Sequence, residues 1–358
     1  MIRHRAQILL IQKEGIEFTL VLPENIRLSR LFVNANWAHI IDPRSYKASD
    51  FKGLLQVPTT QFKSFEEQND AVNKIMDKIL GSLEGFTRSD IAAIEWSLNE
   101  ITDNVINHSG SEVGGLVQLS TFQRGNKRVE YIVCDAGIGI PKSLRQTMTS
   151  LTSDSDALYH AIQEGVTKNK ETNQGNGLFG TFEISRVSEG YLHIHSGYAS
   201  LSYDKIRGLR SKAETIPFNG TLVIGCIDYS NPGLLGKALK FGGKTHNPLD
   251  YIESKFEGDD LNLHFAMKTE AKSFGSRKAA EPINIKLKNL CKLSKNDKII
   301  IDFKDVVVIS SSFADEVFGK LFIEMGPITF MQKFEFINTA STVKSLIDRA
   351  ITQRSQMK

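Results

Sequence analysis

The sequence has few cysteines and no long apolar stretches, the features that mark secreted, metal-stabilised and membrane-spanning proteins. Its 358 residues include three cysteines, Cys134, Cys226 and Cys291, which lie far apart and without the spacing of metal ligands. This pattern favours buried free thiols in a reducing compartment. No apolar stretch approaches the length of a membrane span, and the first residues lack the long apolar core of a signal peptide. These absences predict a cytoplasmic protein that does not enter a membrane.

The sequence also lacks a strong excess of charge of either sign. Lysine and arginine number 44 against 41 acidic residues, which gives a formal net charge of +3, and the two signs are interspersed. There is therefore no overall field that would attract nucleic acid or an anionic membrane, so neither is an expected partner. A chain of this length has room for two or three domains with a large core.

The first part of the chain shows short apolar runs between turn-like residues. From about Ala6 to Asp42 these runs predict strands, and the polar stretch that follows suggests a boundary, so residues 1–64 are expected to form a small β-rich segment of unknown role. Apolar residues then recur at threes and fours from Phe65 to Leu83, which predicts a helix.

A second predicted helix, from Ser89 to His108, carries polar residues at helical spacing. Glu100, Asn104 and His108 are four residues apart and so share one face of a helix. A carboxylate that can polarise water thus lies beside a neutral oxygen ligand suited to a hard cation. The alternative is a solvated helix face that happens to carry a Glu and an Asn.

A predicted β-hairpin follows, and its second strand runs into Asp135-Ala-Gly137-Ile-Gly139. Closely spaced glycines let the backbone approach a flat ligand, and Asp135 can accept a hydrogen bond from an exocyclic amine. On its own this pattern is also typical of a strand that ends in an ordinary Asp-Gly turn.

The next candidate site is a glycine-rich stretch after a polar loop. The loop contains Lys168 and Lys170, and a helix is predicted from Thr181 to Val187. Glycines just before a helix leave free N–H groups at the positive end of the helix dipole, which favours an anion such as a triphosphate; a glycine-rich hinge is the alternative. The glycine motif consists of Gly175, Gly177, Leu178 and Gly180.

These motifs occur in the order of a known family. Glu100 and Asn104 match its E-x-x-x-N helix, the Asp135 turn matches D-x-G-x-G, the glycine stretch matches G-x-G-L-x-G, and Gly220-Thr221 matches a Gly-Thr on a late strand. Residues 65–228 therefore resemble the GHKL (Bergerat fold) ATP-binding domain shared by gyrase, heat-shock chaperones, histidine kinases and MutL. The resemblance implies an α/β sandwich, with helices over one face of a mixed sheet.

The resemblance also implies roles for individual residues. Asp135 would read the adenine amino group, with Thr221 behind it through water, and Asn104 would ligate Mg²⁺. Glu100 would orient or deprotonate the attacking water or hydroxyl. The glycine motif would hold the phosphates of ATP beneath the lid that carries the two lysines.

The C-terminal part shows a second α/β pattern. After a loop-rich extension at residues 229–260, residues 261–358 resemble a STAS-like domain, the fold of anti-sigma-factor antagonists. In that family a serine at the start of a helix is phosphorylated by a GHKL serine kinase, and Ser311 takes its position. The alternative is a helix cap, in which Ser312 and Asp315 resemble a capping box.

Three functions remain open from the sequence. The first is an ATP-binding regulatory protein, a slow Mg²⁺-dependent ATPase whose nucleotide state controls a protein partner through the STAS-like domain. The second is a serine kinase that acts on its own or a partner's STAS domain, and the third is a nucleotide-binding scaffold without turnover. A histidine kinase is not expected, because strand-like sequence stands where its dimerising helical hairpin would be. Dimers are common among the relatives, so a homodimer would fit.

Overall fold

The computed structural model divides the chain into two compact units, which are described separately. It describes residues 2–49, 56–122, 127–166, 176–231, 233, 237–246, 248, 250–294 and 298–356, without the side chains of residues 2–5 and 241. The first unit consists of residues 1–76 and 89–248, and the second of residues 77–88 and 249–358. The stretch 229–260, expected to be loop-rich, is thus shared between them and contains regular elements.

The first unit contains eight helices and seven strands among its described residues. The helices are α1 (Ile2–Lys13), α2 (Ile26–Asn34), α3 (Trp37–Ile41), α4 (Phe65–Leu80), α5 (Arg88–Asn104), α6 (Ile140–Leu144), α7 (Asp154–Ala161) and α8 (Gly177–Val187). The strands are β1 (Gln56–Phe62), β2 (Gly115–Phe122), β3 (Arg128–Asp135), β4 (Tyr191–Asp204), β5 (Gly208–Asp228), β6 (Lys240–Phe241) and β7 (Lys244–Thr245). The last residues of α4 and the first residue of α5 belong to the second unit.

Five of these strands form one sheet in the order β1-β2-β3-β5-β4. Every neighbouring pair in it is antiparallel, so the expected mixed sheet is corrected to an antiparallel one. The reason lies in the connections: β2–β3 and β4–β5 follow each other directly in the chain, and short connections join antiparallel strands. Leu116, Cys134 and Leu222 pair across three strands and lie on one face, while Val117, Val133 and Val223 lie on the other.

Helices cover both faces of this sheet, rather than one. The face of Cys134 packs against a cluster that includes Ala6 of α1, Phe32 of α2 and Trp37 of α3. On the opposite face α5 approaches the sheet, and its Ser97 hydroxyl lies 3.0 Å from the hydroxyl of Tyr131. The second face is the one that carries the cavity described below.

The described residues of the N-terminal segment form three helices, α1 to α3, and one strand, β1, which corrects the expectation of a β-rich segment. The apolar runs there are too short to distinguish a strand from a buried helix. In α1, Ala6, Leu9 and Leu10 pack against the apolar cluster on the Cys134 face of the sheet, and these residues recur at helical spacing. Asn25 then starts α2, because its side chain accepts from the N–H groups of Arg27 and Leu28.

The second unit is a small parallel sheet with helices around it. The sheet has the order β10-β9-β8 and both of its pairings are parallel. Cys291, in α11, is partly exposed, whereas Cys134 and Cys226 are buried as expected. The strands are β8 (Leu263–Ala266), β9 (Ile299–Asp302) and β10 (Phe334–Ile337). The helices are α9 (Tyr251–Phe256), α10 (Met267–Glu270), α11 (Arg277–Leu293), α12 (Ser311–Ala314), α13 (Lys320–Met325), α14 (Pro327–Lys333) and α15 (Ser341–Gln356), with a π-helical turn at Asp315–Gly319 between α12 and α13.

Candidate functional site

A cavity of about 400 Å³ opens on the α5 side of the sheet in the first unit. Its wall is built from α5 and the turn after it, the end of β3, Thr221 and Val223 of β5, the start of α8 and residues from α6 and α7. Eight residues that the sequence singled out line it: Glu100, Asn104, His108, Asp135, Gly139, Gly177, Leu178 and Thr221. Gly137 packs against Ser109 next to the wall, and Gly180 lies in the first turn of α8. Gly175, Lys168 and Lys170 lie outside the described residues.

The polar face of α5 borders the cavity along its length. Glu100 and Asn104 lie one turn apart, and after Asn104 the helix passes into a π-helical turn, Val105–Ser109. Such turns occur often at functional sites, because they rotate the following side chains relative to a regular helix. Here Asn107 and His108 also reach the wall of the cavity.

Asp135 ends β3 and is 3% exposed. Its Oδ1 accepts the N–H of Gly137 at 2.7 Å. Gly137 is required by packing, since a Cβ there would lie 2.1 Å from the carbonyl oxygen of Ser109 at the end of the π-helical turn. The N–H of Ile138 donates to that same oxygen at 2.8 Å. The Asp-Gly turn is thereby held against the end of α5.

Gly220, within β5, lies directly beside the Asp135 turn. Gly220 has a φ of +113°, and a Cβ there would lie 2.3 Å from the carbonyl oxygen of Asp135. The Ser196 hydroxyl donates to the Gly220 carbonyl at 2.7 Å, accepts the N–H of Ile140 at 2.9 Å and lies 3.3 Å from the Thr221 hydroxyl. Ser196 thus links the Asp135 turn to the Gly220-Thr221 motif by hydrogen bonds.

The glycine motif, at the start of α8, faces Glu100. Helix α8 begins at Gly177, four residues before the predicted start at Thr181, so Gly177 to Gly180 form its first turn. A Cβ on Gly177 would lie 2.2 Å from Oε2 of Glu100, which explains the need for glycine. The side chain of Asn176 does not cap the helix, but accepts the N–H of Gly165 at 3.2 Å. The positive end of the α8 dipole therefore meets the Glu100 carboxylate.

The carboxyl groups of the cavity have raised pKa values. Burial, with a smaller contribution from the charge of Asp103, raises the pKa of Glu100 to about 7. Burial also raises the pKa of Asp103 itself. For Asp135, burial raises the pKa to about 7 in spite of backbone N–H bonds from Gly137 and Thr221. Groups perturbed in this way in a cleft are candidates for binding or catalysis.

The donor set suits a hard cation that is held in part by a ligand. The amide of Asn104 and the carboxylate of Asp103 supply the kind of oxygen donor that Mg²⁺ prefers. Across the described part of the chain, no group of three or more His, Cys, Asp or Glu side chains could hold a metal ion by itself. A cation here therefore needs further oxygens from a bound anion or water, which is the usual arrangement for Mg²⁺ with phosphates.

Several residues at the site were not singled out from the sequence, among them Asp103, Asn107, Ser196 and His246. Asp103 and Asn107 adjoin the predicted residues on α5, and the spacing Asn104–Asn107 was a usable signal. Ser196 lies in a strand without any motif. His246 comes from the β6–β7 hairpin and lies against Trp96, with ring centroids 6.3 Å apart.

The second unit presents Ser311 at the start of α12, where it is exposed. The cap of this helix is Ser310, which accepts the N–H of Phe313 at 3.0 Å, rather than the expected Ser312. Asp315 does not take part in a capping box either. Its carboxylate accepts from Arg354 at 2.6 and 2.8 Å and from Arg277 at 2.9 Å.

Comparison with protein families identifies one match. Residues 284–344 match the STAS-like domain of unknown function (DUF4325), so the second unit carries a STAS-like domain. No curated protein matches this sequence. Among the described residues, no helix has the length and apolar character needed to cross a membrane.

Proposed function

We propose that the cavity of the first unit binds ATP with Mg²⁺ and hydrolyses it slowly, and that the nucleotide state controls a protein partner of the STAS-like domain. One observation carries the proposal: motifs scattered between Glu100 and Thr221 meet around a single cavity. The resemblance of these motifs to the GHKL family supports an adenine nucleotide as the ligand and the GHKL fold for this unit.

The adenine end of the site would be formed by Asp135. Its buried carboxylate accepts backbone N–H bonds from Gly137 and Thr221 and has further lone pairs for an exocyclic amine. The Ser196 and Thr221 hydroxyls lie beside it and can hold a bridging water. The raised pKa of Asp135 reflects a desolvated carboxyl that gains when a ligand supplies a donor.

The phosphate end would be formed by the start of α8 and by Glu100. Backbone N–H groups at a helix N-terminus bind anions, and the Gly177 position brings them to within contact of the Glu100 carboxylate. A pKa near 7 allows Glu100 to accept a proton from water at neutral pH. Asn104 would contribute a ligand to Mg²⁺, and the ion, when bound, would neutralise phosphate charge.

Replacement of the proposed base tests the turnover. Glu100→Gln should bind Mg²⁺ and ATP as well as wild type, but hydrolysis should fall by about 10²- to 10⁴-fold. Phosphate release and calorimetric titration measure the two properties separately. Glu189→Gln, an exposed carboxyl outside the cavity, is the matched control. A folded wild-type protein that binds no ATP would refute the proposal, while equal binding and unchanged function of Glu100→Gln would favour a scaffold.

A serine kinase is the second candidate, and the exposed hydroxyl of Ser311 at the start of a helix favours it. In that case Glu100 would activate a serine hydroxyl rather than water. Mass spectrometry after incubation with Mg²⁺ and ATP, with Ser311→Ala as control, distinguishes the two. Phosphate on Ser311 or on a partner STAS domain supports the kinase, and an unmodified protein that releases phosphate supports the ATPase.

A further inference from the structure

The β6–β7 hairpin forms a fixed part of the cavity wall. Ala238 and Leu239 are buried, and the N–H of His246 donates to the carbonyl of Leu239 at 2.8 Å. At its tip the N–H of Gly242 donates to the carboxylate of Glu164. The hairpin is therefore anchored at its base and at its tip, and this anchoring places His246 in the lining of the cavity.

His246 lies at one end of a row of contacts along α5. Ser109, at the end of the π-helical turn, contacts the Asp135 turn through Gly137, and Glu100 contacts Gly177 at the start of α8. Trp96, one turn before Glu100, contacts His246. At about 1.5 Å per α-helical residue, Glu100 lies roughly 6 Å from Asn104, where the π-helical turn to Ser109 begins, and Trp96 lies about 6 Å from Glu100 in the opposite direction.

This order places His246 beyond the start of α8, at the end of the cavity opposite Asp135. A nucleotide with its base at Asp135 and its phosphates at Gly177 would direct its terminal phosphate toward the Trp96–His246 pair. The hairpin sequence has three lysines, Lys237, Lys240 and Lys244, and no acidic residue between Lys237 and His246. These lysines are exposed and add positive potential at this end.

We propose that His246 binds the terminal phosphate of a nucleoside triphosphate and so sets the preference of the site for a triphosphate over a diphosphate. The inference rests on the proposed function, since it presupposes a nucleotide in the cavity. An imidazole N–H donated to a phosphate oxygen is a charge-assisted hydrogen bond, which is stronger than a neutral one. A diphosphate ends before this position and gains nothing from it.

Calorimetric titration with three ligands in the presence of Mg²⁺ tests the proposal: adenosine, ADP and a non-hydrolysable ATP analogue. In His246→Ala the affinity for the ATP analogue should fall by about 10- to 100-fold, while the affinities for ADP and adenosine stay unchanged. His246→Lys supplies an N–H donor to phosphate at the same position and should retain most of the preference for the triphosphate. His264→Ala, an exposed histidine paired with Asp260 in the second unit, should match wild type.

The outcomes separate this inference from the proposed function. Retained affinity for adenosine shows that a variant still has its binding site, so loss of triphosphate preference alone supports the role of His246. An unchanged preference in His246→Ala, or an equal loss of affinity for all three ligands, overturns the role of His246. Neither result contradicts ATP binding by the wild-type protein. If wild type binds none of the three, the proposed function itself fails.

Discussion

Carboxylates that are partly or fully buried occur in both units of this protein, but with different partners. In the second unit Glu270 and Asp77 meet two lysines: Lys286 lies 2.5 Å from Glu270 and 2.9 Å from Asp77, and Lys255 lies 2.9 and 2.7 Å from the same two groups. In the first unit Glu100 and Asp135 line the cavity, and among the described residues neither has a lysine or arginine within ion-pair distance. The carboxylates of the second unit are thus paired with lysines, whereas Glu100 and Asp135 of the first unit have no such cation among the described residues.

The pKa values follow this difference. Burial acts to raise the pKa of Asp77, but the two lysines and the Tyr251 hydroxyl outweigh it and the pKa is lowered. For Glu100 and Asp135 burial dominates and each pKa is about 7. A carboxylate buried beside a cation stays ionised and the loss of that cation is costly, whereas burial without one raises the pKa and leaves a carboxyl that a ligand can satisfy. The comparison thus separates structural charges from candidate functional ones.

The largest effect is expected from breaking the paired group. Lys286→Met leaves two carboxylates near each other with one cation fewer, and Lys286 and Glu270 are 6% and 4% exposed. We expect the free energy of unfolding of the second unit to fall by about 3–5 kcal/mol in urea denaturation. Lys292→Met removes an exposed pair with Glu84 and should cost less than about 1 kcal/mol. Equal effects of the two substitutions would contradict the comparison.

Asp135 should show the opposite behaviour, with a dependence on pH. Its folded-state pKa of about 7 lies above the ordinary value of 3.8, so the folded protein binds more protons than the unfolded chain between these values. Stability is therefore lost as pH rises through this window. Asp135→Asn removes the cost of burying the charge, so its stability relative to wild type should grow by about 2–3 kcal/mol between pH 5 and pH 8.

Asp315 is the matched control for that experiment. The bonds from Arg354 and Arg277 lower its pKa, so its contribution is present at neutral pH and is lost as pH falls below 3.8. Asp315→Asn should therefore destabilise the protein at pH 7, and its deficit should shrink in acid. Urea denaturation across the pH range measures both variants, and the same sign for both would contradict the assignment of their environments.

A smaller effect is expected at the glycine that faces Glu100. In Gly177→Ala the new Cβ would lie 2.2 Å from Glu100 Oε2, so the flexible end of that side chain must move. We expect near-normal stability, but about tenfold weaker binding of Mg²⁺ and ATP, because the carboxylate and the start of α8 no longer fit together. Gly275→Ala, whose Cβ would meet only the Ser273 hydroxyl at 3.7 Å, is the control. Unchanged binding in Gly177→Ala would show that this contact is not part of the site.

Local patterns in the sequence were sufficient for the centre of the first unit. The alternation of apolar residues predicts β2 and β3, and glycine positions such as Gly137 and Gly220 mark close backbone approaches. The N-terminal helices were missed because short apolar runs fit either a strand or a helix. The start of α8 was missed because glycines are poor helix formers, and here the contact of Gly177 with Glu100 outweighs that preference.

Other features could not be predicted from any local pattern. His246 reaches the cavity only because the β6–β7 hairpin is anchored by Leu239 and Glu164, which are distant from the motifs. The burial of Lys286 in the second unit also depends on tertiary contacts, since in the sequence this lysine resembles a solvated helix residue. Sequence patterns thus identified individual motifs, whereas the pairing of charges required the fold.

The most direct test of the account compares ATP with inosine triphosphate at pH 8, where Asp135 is ionised. Inosine triphosphate carries a carbonyl oxygen in place of the amino group that Asp135 would accept. We expect wild type to bind ATP about 10- to 100-fold more tightly than inosine triphosphate, and Asp135→Asn to lose this preference because an amide can donate to the carbonyl. Asp156→Asn, an exposed aspartate in α7, should keep it. Equal binding of the two nucleotides by wild type would contradict the assignment of Asp135 as the group that reads adenine.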